Sequence, residues 1–370
     1  MTFVVSFGQD IGFIYEEMKK QNTPVESVFL YKKVCPDELK SLENARLVAF
    51  ETWNLIDMVR SIYHLATSRC VVVDNYFGFL SVIDFKEGVE CIQLWHAAGA
   101  FKKFGTKDRS VTSRRKAAQR RFRKVYEKFN KVVVGSDAMA GIFIEAFDLP
   151  RENILRAGIP RTDLFFDTNR RRQAAEALID EHPEWGNKER ILYAPTYRED
   201  ELDDFQMKLD LDLMQQELGD DYVVLLHLHP AVKSPIDYEA DYPGFVYDCG
   251  QCTNINHLLL VADYLITDYS SIPYEFALLN KPMLFYPYDL EEYREQRGLW
   301  ADYESMVPGP VTHTTSEIIE LIKEDQFDLQ QVKDFAQTWN RYSRGNSSEN
   351  FVRYLTGGKG LIQNREGQPN

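Results

Sequence analysis

No apolar run in this chain approaches the roughly 18 residues that a bilayer-crossing helix needs, so no transmembrane segment is expected. Met1 and Thr2 lead at once into the strand-like Phe3-Val4-Val5-Ser6-Phe7, and no secretory leader is expected either. Cysteine is scarce. Cys35, Cys70, Cys91, Cys249 and Cys252 are too few and too scattered for a disulfide framework, and they suit the reducing cytosol. Cys249 and Cys252 form the one close pair, which reads as two small packed residues more readily than as a redox motif. Internal repeats are lacking as well. What remains is a 370-residue chain with 44% hydrophobic content, enough for a large core and, by its length, for two domains.

Positive charge is scarce overall, with a formal net charge of −14, and its local excess is therefore informative. Residues 102–131 carry thirteen lysines and arginines against only Asp108 and Glu127, which puts 11 net positive charges there and 25 net negative charges on everything else. Such asymmetry points to an anionic partner for one face. Within the segment Ala118, Phe122, Val125 and Phe129 recur at steps of four, three and four, while Arg114, Arg115, Lys116, Arg120, Arg121, Arg123 and Lys124 take other positions. That spacing predicts an amphipathic basic helix. A solvated surface helix, a nucleic-acid patch and a face docked on anionic lipid headgroups compete as readings. The lipid reading is favoured, because each Lys or Arg near an anionic membrane contributes about 1 kcal/mol. Arg114, Arg115, Arg120, Arg121 and Phe122 are the residues expected at that membrane surface, and no nucleic acid is expected.

Apolar runs alternate with helical patterns along the chain, the signature of an α/β protein with parallel sheets. Phe3 to Phe7, Arg46 to Phe50, Cys70 to Asp74, Glu90 to His96 and Lys131 to Gly135 are the expected strands of a first sheet. Arg190 to Ala194, Tyr222 to Leu228, Tyr264 to Asp268 and Met283 to Tyr286 are those of a second, with a helix over Asp210 to Glu217. Asn169 to Arg190, which holds Pro183 and Gly186, is the expected crossover. The expected segments are 1–168, 169–330, C-terminal helices over 331–356 and a mobile tail over 357–370.

In open α/β sheets ligands bind beyond the carboxyl ends of the strands, and the polar clusters of this chain fall there. The clearest runs from Thr267 through Asp268-Tyr269-Ser270-Ser271 to Ile272-Pro273-Tyr274-Glu275, a buried strand passing through a hydroxyl-rich turn into a helix start. Ser270 and Ser271 are good N-caps, Pro273 suits a first turn, and the unpaired N–H groups of a helix start are ready donors to phosphate. An ordinary capped βαβ unit accounts for the same residues. The run Trp95-His96-Ala97-Ala98-Gly99-Ala100-Phe101-Lys102-Lys103 delivers a histidine, the natural general base for a hydroxyl nucleophile, into a small-residue turn before paired lysines. Gly158-Ile159-Pro160-Arg161-Thr162-Asp163 presents one arginine and one aspartate, and Tyr193-Ala194-Pro195-Thr196-Tyr197-Arg198 a hydroxyl and an arginine. His227-Leu228-His229-Pro230 follows another strand. Its His-x-His could begin a zinc site, but no Asp-x-Asp or His-x-x-x-Asp spacing accompanies it, and no metal is expected.

Taken in order, Trp95-His96, Gly158 to Asp163, Tyr193 to Thr196, His229-Pro230, Ile266 to Ser271 and Asp289-Leu290-Glu291-Glu292-Tyr293 resemble the motifs of the CDP-glycerol glycerophosphotransferase family of teichoic acid synthesis. The resemblance runs from about Leu94 to Tyr354. It implies a GT-B architecture of two Rossmann-like domains whose parallel sheets face a central cleft. Residues 1–168 would face acceptor and membrane, 169–330 would bind the donor nucleotide, and the helices of 331–356 would cross back. It implies CDP-glycerol as donor and an undecaprenyl-diphosphate-linked disaccharide of N-acetylmannosamine and N-acetylglucosamine as acceptor. It implies no cofactor, and peripheral attachment to the cytoplasmic face of the membrane. His96 and His229 would be catalytic, with His96 the base. His229, Ser270 and Ser271 would hold the donor pyrophosphate, with Thr196 and Thr267 beside them and Arg161 as a cationic contact. Glu275 would reach the ribose unless it is simply solvated, and Lys102 and Lys103 would meet the acceptor diphosphate.

Polymerases of the family typically carry Trp-His-Gly-Thr-Pro before a lysine, where this chain has Trp95-His96-Ala97-Ala98-Gly99-Ala100-Phe101-Lys102. That version is more similar to the family's primases, which add one glycerol phosphate. Priming is therefore expected ahead of glycerol or ribitol phosphate polymerisation. A GT-B glycosyltransferase using a nucleotide-sugar and a non-catalytic membrane-surface adaptor are the competing classes.

Overall fold

The structure is a computed structural model that describes residues 1–32, 35, 37–198, 201–252 and 254–357. The chain divides into two compact units, one of residues 1–98, 103–166 and 338 onward, the other of residues 99–102 and 167–337. The expected tail, apart from its first residue, lies outside the described residues.

The first unit holds strands β1 (Thr2–Val5), β2 (Val28–Lys32), β3 (Arg46–Phe50), β4 (Cys70–Val73), β5 (Glu90–Gln93), β6 (Lys131–Val133) and β7 (Ile154–Leu155). They form one sheet in the order β3-β2-β1-β4-β5-β6-β7, with every neighbouring pair parallel. Central strands of such a sheet are covered on both faces, and so they read as unbroken apolar runs such as Val71-Val72-Val73, all fully buried. Phe3, Val5, Phe29 and Val72 meet Ile11, Ile14 and Met18 of the helix Gln9–Lys20 in one core. The C-terminal helix Ser347–Leu355 adds Phe351 and Val352 to that core. Its start is fixed by Asp163, whose carboxylate accepts from Ser347 N at 2.9 Å and Ser348 N at 2.8 Å.

The second unit holds β8 (Glu189–Ala194), β9 (Tyr222–Leu226), β10 (Val246–Asp248), β11 (Tyr264–Thr267) and β12 (Met283–Phe285). Their order is β10-β9-β8-β11-β12, again all parallel. The helix Leu211–Leu218 is capped by Asp210, which accepts from Leu213 N at 2.9 Å, and it buries Leu211, Met214 and Leu218. The crossover is the helix Thr168–Glu181 followed by a turn at Pro183–Trp185. Both strand orders reverse direction once, between β1 and β4 in one sheet and between β8 and β11 in the other, and those switch points are where an open α/β sheet binds ligands.

The two α/β units with parallel sheets match the expected fold class. Strands β2, β7 and β10, of five, two and three residues, were not expected.

Two glycines give opposite tests of this packing. Gly158 sits at φ +86°, and a Cβ there would lie 2.5 Å from the carbonyl oxygen of Tyr342. Gly158→Ala should lower stability by more than about 1 kcal/mol in urea unfolding. Gly141, inside the helix Asp137–Phe147, has nothing within 4 Å of where a Cβ would stand, and should gain up to about 1 kcal/mol as alanine.

Candidate active site

At the first switch point the backbone N–H groups of Ser6, Phe7 and Gly8, just beyond β1, all point at the side chain of Asp74, just beyond β4, at 2.8 to 3.1 Å. Burial pushes the Asp74 carboxyl up to about 6, against these three donors, which favour its charged form. The same residue's carbonyl oxygen lies 3.3 Å from Nδ1 of His96. A carbonyl can only accept, so Nδ1 carries the proton, and in the neutral ring Nε2 keeps the proton-accepting lone pair. Phe7 and Trp95 pack on the imidazole, with ring centroids 4.6 and 4.4 Å away. Trp95 occupies the left-handed region at φ +62°, a conformation that costs an L-residue about 1–2 kcal/mol. The fully buried Gln93 holds it there: its Oε1 accepts from Trp95 N at 2.8 Å and its Nε2 donates to Asn75 O at 3.0 Å. His96 is thus a half-buried imidazole on a braced strand end.

The second switch point repeats the device. Asp268, buried just beyond β11, accepts from Thr196 N at 2.8 Å and Tyr269 N at 2.6 Å. Arg198 donates to Asp268 at 3.1 Å and to both oxygens of Asp289 at 2.7 and 2.8 Å, and Tyr269, Tyr288 and Tyr293 surround it within 5.2 Å. Burial works against the guanidinium's charge, but the hydrogen bond to Asp289 and the charge of Asp268 outweigh it and hold its pKa well above the usual value. Three strand-end loops, at 194–198, 267–271 and 286–289, are clamped together. Ser270 and Ser271 lie on the middle one. The capping bond comes from Ser270, whose Oγ accepts from Ile272 N at 3.3 Å, while Ser271 makes no side-chain cap. The Thr267 hydroxyl is spent on Ala194 O at 2.6 Å, and the Thr196 hydroxyl is buried without a hydrogen-bond partner. Glu275 is only 4% exposed, which removes the solvated reading of that glutamate.

His227 and His229 are distinguished by their tautomers. Nδ1 of His227 donates to Cys249 O at 2.9 Å, whereas Nδ1 of His229 accepts from Ala231 N at 3.1 Å. In neutral His229 the proton is therefore on Nε2, ready to donate. Burial, His227 and Lys102 together hold His229 below the ordinary histidine value. His229 helps line a cavity of about 550 Å³, together with Val232, Tyr238 and Gly250. Lys102 belongs to this second unit: residues 99–102 form a short insertion whose Phe101 packs on Tyr274 at 4.9 Å, and a Cβ on Gly99 would collide with the same tyrosine ring. Lys103 returns to the first unit. Among the described residues no group of three or more His, Cys, Asp or Glu side chains is placed to hold a metal ion.

The sequence model of a family described as CDP-glycerol:poly(glycerophosphate) glycerophosphotransferase matches residues 4–357. The chain belongs to that glycerophosphotransferase family. It is 34% identical over 357 residues to a teichoic acid glycerol-phosphate primase of Bacillus subtilis (strain 168), covering 96% of this chain and 91% of that one. It is 33% identical over 344 residues to a teichoic acid poly(ribitol-phosphate) polymerase of Bacillus spizizenii, but there it spans only 52% of the relative. Among solved structures the wall teichoic acid polymerase TagF superposes with a TM-score of 0.82 over 97% of this chain and 89% of that one, at 23% identity, which supports the fold.

In this glycerophosphotransferase Arg161 lies in the first unit, 5% exposed, with Nη1 2.5 Å from Asp10 Oδ2 and its own N–H bonded to Asp10 Oδ1 at 2.9 Å. That ion pair leaves the guanidinium little surface to offer a ligand and makes Arg161 a clamp on the helix Gln9–Lys20. The basic helix forms over Lys116–Tyr126, with Val125 and Phe129 buried and Phe122 half-buried against Tyr76 at 5.1 Å. Arg114, Arg115, Arg120 and Arg121 are all exposed. Sequence reasoning missed Asp74, Gln93 and the Arg198–Asp289 clamp, whose one available signal was a polar residue at the end of an apolar run. Asp74 gives a test by pH. Its neutral form suits the folded state, so its contribution is fully present below about pH 4 and is lost as the pH rises through about 6. Relative to Asp74→Asn, the wild type should lose urea stability across that window; no relative loss would mean that the three N–H groups keep Asp74 charged.

Proposed function

We propose that this family member transfers one glycerol phosphate from CDP-glycerol to a hydroxyl of an undecaprenyl-diphosphate-linked disaccharide, releasing CMP. The observation that supports its acid–base part is the tautomer of His96: Nδ1–H is held by Asp74 O, and Nε2 is the lone pair that accepts the acceptor's proton. The deprotonated oxygen attacks the phosphorus that bears glycerol, a new P–O bond forms, and the bond to the CMP oxygen breaks. Phosphoryl transfer leaves the protein mainly positioning and charge stabilisation. Nε2–H of His229, the Ser270 and Ser271 turn and the buried Thr196 hydroxyl are suited to the donor pyrophosphate, and Glu275 to the ribose. Lys102 adds positive charge to the same unit as His229. Lys103, carried by the first unit, is left for the acceptor diphosphate.

Priming is preferred over polymerisation because Ala97 to Phe101 replace the Gly-Thr-Pro that the family's polymerases typically carry after the histidine. The solvent-facing arginines of residues 114–121 support peripheral attachment to an anionic membrane face. Among the described residues no helix is long and apolar enough to cross a membrane.

The test is a reaction with CDP-glycerol and a short-chain analogue of the lipid-linked disaccharide, with the product weighed by mass spectrometry. One added glycerol phosphate and one CMP per acceptor are expected, unchanged by EDTA. A ladder of additions would make the protein a polymerase, and loss of turnover in EDTA restored by zinc would revive a metal role for His227 and His229.

A further inference from the structure

The helix Leu55–Thr67 of the first unit carries its polarity the wrong way round for a helix packed on its own core. Its buried residues are Ser61, whose hydroxyl donates to Ala49 O at 3.1 Å, and His64, whose carbonyl accepts from Thr2 at 3.2 Å. Leu55, Ile56, Met58, Val59, Ile62 and Tyr63 are exposed instead, and at 100° per residue they fall within an arc of about 160°. Trp53, just before the helix, is 98% exposed. Large apolar surface left open in this way marks an interaction site.

We propose that this face enters the boundary between headgroups and acyl chains of a bilayer. The inference rests on the membrane reading above and adds the surface that goes into the lipid. Three observations select a bilayer over a protein partner. First, Trp53 and Tyr63 are the amphipathic rings that favour the headgroup level. Second, the strand before this helix is linked by packing to the cationic helix. Phe50 at the end of β3 packs on Phe79 at 5.1 Å, Phe79 lies in the turn Gly78–Val82 that packs on the helix Lys116–Tyr126, and Val82 of that turn is 82% exposed. An anionic bilayer offers an apolar interior and a negative surface side by side, which this pairing complements. Third, the parallel sheet puts the start of the helix, the turn and His96 beyond the carboxyl ends of β3, β4 and β5, at one edge. A lipid-linked acceptor held at the headgroups reaches that edge.

The experiment uses the full chain with vesicles of phosphatidylcholine and phosphatidylglycerol whose acyl chains are brominated near the headgroup. Trp53 fluorescence, taken as the difference between wild type and Trp53→Phe, should be quenched on binding. The triple variant Ile56→Ser, Val59→Ser, Ile62→Ser should keep its fold by circular dichroism, since these side chains are exposed. It should also keep turnover on a soluble acceptor and lose vesicle affinity by about tenfold or more per side chain. In parallel, Arg114→Gln, Arg115→Gln, Arg120→Gln, Arg121→Gln tests the electrostatic reading alone. If the quadruple variant is released while the triple variant binds as wild type and Trp53 stays unquenched, attachment is electrostatic only and the insertion is overturned. If the triple variant instead changes oligomeric state by sedimentation without changing vesicle affinity, the face joins copies of the chain and the proposal is equally overturned. Salt-resistant binding that only the triple variant abolishes supports the insertion even if the arginines prove dispensable.

Discussion

Backbone N–H groups at the end of the leading strand of a Rossmann-like sheet point out of the sheet, and something must accept from them. In both units of this protein the acceptor is an aspartate from the strand across the switch point, Asp74 in one and Asp268 in the other. Each one ties the loop after the leading strand to the strand end across the switch point. Asp74 fixes Phe7 with its carboxylate and turns the His96 ring with its carbonyl. Asp268 fixes Thr196, orders the turn into Ser270 and Ser271, and draws in Arg198.

The two histidines are complementary because their backbone partners are. His96 donates from Nδ1 to a carbonyl and presents an acceptor, as a base toward a hydroxyl requires. His229 accepts at Nδ1 from an amide and presents a donor, as a phosphate contact requires. Neither tautomer follows from the residue type, since a neutral imidazole can take either form. Each follows from which backbone group lies beside Nδ1. The charge distribution has the same local origin. A chain with a net charge of −14 keeps a cationic helix at the surface of the first unit and places Lys102 in the second, beside the histidine whose charge it opposes.

Much of the fold was legible because parallel strands buried on both faces leave unbroken apolar runs, as at Val71 to Val73 and Leu265-Ile266. The strand-end clusters were legible for the same reason: polar residues interrupting such runs mark the carboxyl edge. What was hidden depends on contacts between distant segments. Arg161 follows a strand as a ligand-binding arginine would, and only its neighbour in space, Asp10, 151 positions earlier, shows that it is paired. Ser271 has the right sequence context for a cap, but Ser270 makes the bond. The apolar stripe of Leu55, Val59 and Ile62 has the same periodicity whether it faces the core or the solvent, and the periodicity alone does not tell inside from outside.

The central claim is a division of labour, with a base in the first unit and the donor contacts in the second. Calorimetric titration of CDP-glycerol into His96→Ala and His229→Ala, each paired with its turnover, tests it most directly. The account predicts that His96→Ala binds the donor as the wild type does while turning over at least about 10² more slowly, and that His229→Ala loses donor affinity. Loss of donor binding in His96→Ala, or unchanged binding in His229→Ala, would contradict it.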